Sequence, residues 1–269
     1  MVFSWKANQR KASIWVTLES ATPMKLRVLA QDANKPLTKF ADREITLNGT
    51  RTIYLSFPIS SDVVNITIFN VKNGNTQNDP SFKLVNLEEK PLKTYPVWLD
   101  KETRDFLVLA ENFAENASYY KATKPDGNPT IYQTTSGAFT IKYSSVIMNN
   151  GAPITTPARI GHTSGHIEVS KKYFLKYTVP MRMIILLHEF SHKFKNPKTG
   201  LEISNEVGAD VNALYIYLGL GFSKVDAIYV YANVFLKAQS QGNIKRMRVI
   251  MDYIDKFEKG EFTKSAGLY

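Results

Sequence analysis

Apolar and polar positions alternate along the first third of the chain. Ile14, Val16 and Leu18 are separated by Trp15 and Thr17, Met24, Leu26 and Val28 by Lys25 and Arg27, and Val64, Ile66 and Ile68 by Asn65 and Thr67. A period of two sends successive side chains to opposite faces of a strand, so each run has one dry face and one wet face. Residues 45–47 and 52–57 add two more β-branched or aromatic runs, and Asn48-Gly49 and Asn73-Gly74 supply the dipeptides that favour hairpin turns. This spacing predicts a small antiparallel β-sandwich over residues 1–92. No cluster of titratable residues interrupts these runs. The segment reads as a docking or assembly module that engages protein partners.

Residues 91–98 carry two prolines, and the period changes beyond them. Phe106, Leu109, Ala110 and Phe113 fall at helical spacing, with Asp100 as N-cap and Glu102 in the first turn. Residues 130–148 read as two strands around Ser136-Gly137, residues 149–165 as a Gly/Pro/Thr-rich loop, and residues 167–170 as a short strand. The remainder reads as helices over about 181–195, 204–219, 223–239 and 243–258. The fold class is therefore α+β, with an N-terminal antiparallel β-sandwich and a mainly helical second domain, residues 93–269, that holds a small sheet.

Composition narrows the chemistry. The chain has 269 residues and no cysteine, which removes disulfides, thiolate metal sites and cysteine nucleophiles together. The formal charge is +10, from 34 basic and 24 acidic residues. These charges are spread along the chain without a block or a reader motif, so no specific nucleic-acid binding is expected. No apolar run approaches the roughly 20 residues of a membrane span, and the first residues lack the pattern of a signal peptide. Cytoplasmic synthesis is the expectation.

Only four histidines occur, and two of them lie in the run His188-Glu189-Phe190-Ser191-His192. On a helix, His188 and His192 stand one turn apart on one face, where two imidazoles can hold one zinc ion. Glu189 lies beside the first histidine, where a general base for an activated water belongs. The apolar run 183–187 would bury the helix and stiffen this platform. The alternative is two histidines that fall four apart by accident of packing.

A catalytic zinc site needs a third protein ligand. Lys193-Phe194-Lys195 follows His192, so a third histidine at the extended metzincin spacing is excluded. Glu206 and Asp210 come next, one turn apart on one helix face, after Ile203 and Ser204 as staple and cap. Glu206 is suited as the anionic ligand. Asp210 is placed to accept the other ring N–H of a ligating histidine. The alternative is a solvated acidic pair, which would weaken the helix slightly.

The pattern H-E-x-x-H followed by E-x-x-x-D on a second helix resembles the active site of gluzincin-type zinc metallopeptidases, the thermolysin-like branch of the zincins. The resemblance implies a zincin-like second domain, zinc as cofactor and a peptide or protein substrate. It implies an edge strand before the metal helix along which substrate adds, and residues 167–170 occupy that place. It also implies a His or Tyr that steadies the oxyanion, with His162, His166, Tyr215, Tyr217, Tyr229 and Tyr231 as candidates. The Asn-, Lys- and Tyr-rich character of the whole chain also resembles virion components of tailed bacteriophages, the tail or portal-ring proteins of the crAss-like kind. That second resemblance implies a virion location, a homo-oligomeric ring, and a zincin fold used as scaffold with little or no catalysis.

Overall fold

A computed structural model describes residues 1–75, 79–125, 127–161, 163–193, 206–238 and 240–261. The chain divides into two compact units, Met1–Lys93 with Gly221–Ser223, and Thr94–Leu220 with Lys224–Tyr269. The architecture is α+β, a β-sandwich followed by a mostly helical region with smaller sheets.

In the first unit, five strands form one antiparallel sheet among the described residues: β1 (Val2–Lys6), β2 (Ala12–Asp32), β3 (Lys39–Phe57), β4 (Val63–Asn70) and β5 (Lys83–Pro91). Strand β2 is central. It pairs with β3 along its length, with β5 through its first half and with β4 through its second. The sandwich arises because this single sheet folds over. Phe40 and Phe57 lie 17 residues apart on β3, a separation of roughly 55 Å in a straight strand at about 3.3 Å per residue. Their ring centroids are 6.1 Å apart. Trp5 of β1 closes the other side, 5.1 Å from Phe57 and hydrogen bonded through Nε1 to Glu89 of β5.

The fold-over point differs from the sequence expectation. Asn48-Gly49 was expected as a hairpin turn, but β3 runs through it. Gly49 takes a φ of +65° opposite Ser20, where the β2–β3 register shifts between Ser20 and Met24. The dipeptide supplies a left-handed residue for a bend within a long strand instead of a reversal between two short ones. The inner face then carries Ile14, Val16, Leu18, Leu26, Val28, Ile53 and Leu55, all buried.

The second unit packs helices against a four-stranded sheet of order β10-β11-β7-β6, with β6 (Thr130–Gln133), β7 (Thr140–Ser144), β10 (Ala158–Ile160) and β11 (Ile167–Ser170). Strands β7 and β11 are parallel and the outer pairs antiparallel. A small hairpin, β8 (Met148–Asn149) with β9 (Ala152–Pro153), precedes β10. The strand expected at the sheet edge, residues 167–170, is an interior strand flanked by β10 and β7. The edge position belongs to β10, inside the segment expected to be loop.

The helices are α1 (Lys101–Asn116), α2 (Lys171–Phe174), α3 (Val179–Ser191), α4 (Glu206–Gly219), α5 (Lys224–Val230) and α6 (Gln241–Glu258), with a π-helical turn at Tyr231–Phe235 between the last two. Asp100 caps α1 by accepting from the Thr103 N–H at 2.7 Å. Every residue of α3 is buried, as its all-round apolar sequence requires. The one cation in its first turns, Arg182, is accommodated by donating to the Ala114 carbonyl at the end of α1, 2.9 Å away. Phe190 of α3 stacks on Phe106 of α1 at 4.2 Å, which ties the two helices together. Among the described residues no helix is long and apolar enough to cross a membrane.

Candidate metal centre

Helices α3 and α4 lie side by side, and the Asn212 side-chain amide on α4 donates to Ser191 Oγ on α3 at 3.0 Å in a buried contact. That bond fixes how far one helix slides along the other. It sets Glu206 and Asp210, on the first turns of α4 as described, opposite His188 on the last turn of α3 and His192 at its C-cap. The expected cap at Ser204 and the staple at Ile203 lie outside the described residues.

The two imidazoles face each other edge-on, with their Nε2 atoms 3.1 Å apart. Glu206 presents Oε2 3.5 Å from His188 Nε2 and Oε1 3.5 Å from His192 Nε2. A tetrahedral ion with bonds of about 2.0–2.1 Å separates its ligand atoms by roughly 3.3–3.4 Å. The three side chains therefore converge on about the spacing such an ion needs, each imidazole meeting a different oxygen of Glu206. His188 is 2 % exposed, whereas the Glu206 side chain is 57 % exposed. The donor set is thus anchored in the core at one end and opens to solvent at the other. The arrangement is zincin-like, with a glutamate as its third donor.

Compared with family models, curated proteins and solved structures, the chain matches none. The functional reading therefore stands on this geometry.

Asp210 is completely buried and lies 2.9 Å from His188 Nδ1, the ring nitrogen that points away from Glu206. The contact is short, and Asp210 does the most among the neighbouring groups to favour charge on the ring. Phe235, from the π-helical turn, packs on the His188 ring with centroids 4.0 Å apart. The Tyr231 hydroxyl in the same turn donates to the Asp210 carbonyl at 3.1 Å. A π-turn widens the helix by one residue, which places both rings against the site.

Burial opposes charge on His188, yet Asp210, Glu206 and Glu189 outweigh it and lift the metal-free imidazole to about 9. The Glu206 carboxyl is pushed down to about 2, chiefly by its contact with His188 against the cost of burial, with Arg246 and His192 assisting. Glu189 is buried at 7 % exposure in the next position along the helix.

Several oxyanion candidates find other places. Tyr215 accepts from the Trp98 N–H at 2.7 Å, Tyr231 supports Asp210, and Tyr217 is fully buried in the core. Tyr229 is half exposed. His166 sits in the β10–β11 turn, whose Thr163 carbonyl accepts from Lys193 just past α3. His162 lies outside the described residues.

The sequence reading missed Arg246. It lies on α6, bonded to both oxygens of Asp210, with its terminal nitrogen 2.8 Å from Oδ1 and 2.8 Å from Glu206 Oε2. A signal was present. Ile250, Tyr253, Ile254 and Phe257 form the buried stripe of α6, and Arg246 occupies the same stripe one turn earlier. A charge on the dry face of an amphipathic helix calls for a buried partner.

Proposed function

We propose that the second unit is a zinc-dependent peptidase of the gluzincin type, acting on peptide or protein substrates. The convergence of two imidazole nitrogens and a carboxylate at 3.1–3.5 Å supports this most directly. The donor set suits zinc in its chemistry as well as its spacing, since nitrogen and oxygen ligands without sulfur are common in its catalytic sites. His188, His192 and Glu206 would hold the ion. When bound, zinc supplies a Lewis acid that acidifies water toward neutral pH and polarises a carbonyl.

The chain's own residues do the rest. Asp210 and Phe235 fix the plane of the His188 ring. Glu189, buried and one residue from a ligand, takes the proton of the attacking water and passes it to the departing amine. Strand β10 pairs on one side only among the described residues. Pro157 and Gly161 use their backbone groups toward β11. By antiparallel alternation, the N–H groups of Ala158 and Ile160 and the Ile160 C=O then point to the unpaired side, while the Ala158 C=O accepts from the Thr156 hydroxyl at 2.8 Å. An extended peptide adding there would be held by its backbone with little demand on its side chains. The edge strand packs beside α3, the helix that carries His188.

Glu189→Gln tests the assignment. The variant should keep stoichiometric zinc and lose turnover of an unstructured peptide by about 10²–10⁴-fold. A variant that binds zinc and cleaves at the parent rate contradicts the role of Glu189.

A further inference from the structure

The third donor poses a problem that the other two do not. His188 and His192 are held in packed helix, but the Glu206 side chain is more than half exposed. A glutamate on the first described turn of a helix has several rotamers open to it, and both of its oxygens can ligate. Something must choose the rotamer and the oxygen.

The geometry points to Arg246 as the residue that makes this choice. This inference rests on the metallopeptidase reading and deepens it. Its guanidinium is locked first. Two of its nitrogens engage the two oxygens of Asp210, a carboxylate with no exposure, and the Arg246 side chain itself is 11 % exposed. Such a planar, two-point pairing fixes the direction of every other N–H on the group. The same terminal nitrogen that meets Asp210 then lies 2.8 Å from Glu206 Oε2. Oε2, which also lies 3.5 Å from His188 Nε2, is thereby engaged by a fixed cation, and this biases ligation toward Oε1, 3.5 Å from His192 Nε2. Arg246 is thus a positioning residue for the metal site. It joins α6 to the two acidic residues of α4 and balances their charge.

Electrostatics alone would give the opposite sign. A guanidinium beside a divalent cation repels it, so a bystander arginine would weaken zinc binding and its removal would strengthen it. Positioning predicts the reverse, because a released Glu206 must be ordered when the ion arrives.

The test measures zinc affinity by chelator competition, and the visible spectrum of the cobalt(II) form, for the parent, Arg246→Met and Arg246→Lys. Arg246→Met should bind zinc about 10–100-fold more weakly. Its cobalt bands should also lose intensity, as Glu206 swings to two-oxygen ligation and the site leaves tetrahedral geometry. Arg246→Lys keeps the charge without the fork, so it should fall between the two. It also serves as the deciding variant should the Met form fail to fold. Parent-like or tighter zinc binding with an unchanged cobalt spectrum in a folded variant overturns the role of Arg246. A parent that binds no zinc overturns the peptidase reading, and this one with it.

Discussion

The residue that couples the site to pH is His188. In the metal-free chain it is lifted to about 9 from an ordinary value of 6.5, against burial, by Asp210, Glu206 and Glu189. The folded state therefore holds the proton more tightly than the unfolded state. Its contribution to stability is complete below pH 6.5 and is lost as pH rises through about 9. Glu206 behaves in the opposite sense. Its carboxyl is held near 2, so its contribution is present above about 4.5 and is lost as pH falls through about 2. Zinc would need the neutral imidazole, so the proposed binding at pH 7 would expel the proton from His188. Calorimetry in two buffers of different ionisation heat should show about one proton released per ion, with affinity rising toward pH 9. Binding at pH 7 without proton release would show that His188 does not carry that charge. At this scale the donor cluster was legible: residue type and spacing single out His188, His192 and Glu206, and the fold brings these three together. Arg246 and Phe235 were not, because nothing local in α6 or in the π-helical turn says which helix they meet.

At the scale of elements, the period of the pattern found strands and helices but not where strands stop. Asn48-Gly49 carries the sequence mark of a hairpin, yet it lies inside β3. A residue able to take positive φ serves a bend as well as a turn, and only the pairing of β2 with β3 on both sides of the dipeptide decides between them. The same limit hid β10. Three residues in a Gly/Pro/Thr-rich stretch have no visible period, and Ala158–Ile160 is a strand because β11 pairs with it. The bend gives its own test. A Cβ at Gly49 would meet nothing within 4 Å, so Gly49→Ala acts through backbone strain alone. It should destabilise the β unit by about 1–2 kcal/mol, read as a lower urea midpoint with unchanged slope. An unchanged midpoint would mean the left-handed geometry is not required there.

Across the whole molecule, the two units divide the chemistry unevenly. The β unit has its own apolar core, and the His/Glu cluster that could hold an ion lies in the helical unit. The fold class was readable because the period of the pattern changes from two to helical near residue 93. The order of strands was not, because pairing partners are set by packing across long sequence separations. The central claim is that one metal ion is held by side chains from two neighbouring helices. Zinc content of the purified chain, measured beside His188→Ala and Glu206→Ala, tests it most directly. One zinc per chain is expected in the parent, none retained after dialysis in His188→Ala, and a large loss in Glu206→Ala. A parent without zinc even after reconstitution, or variants that retain it in full, would exclude such a site.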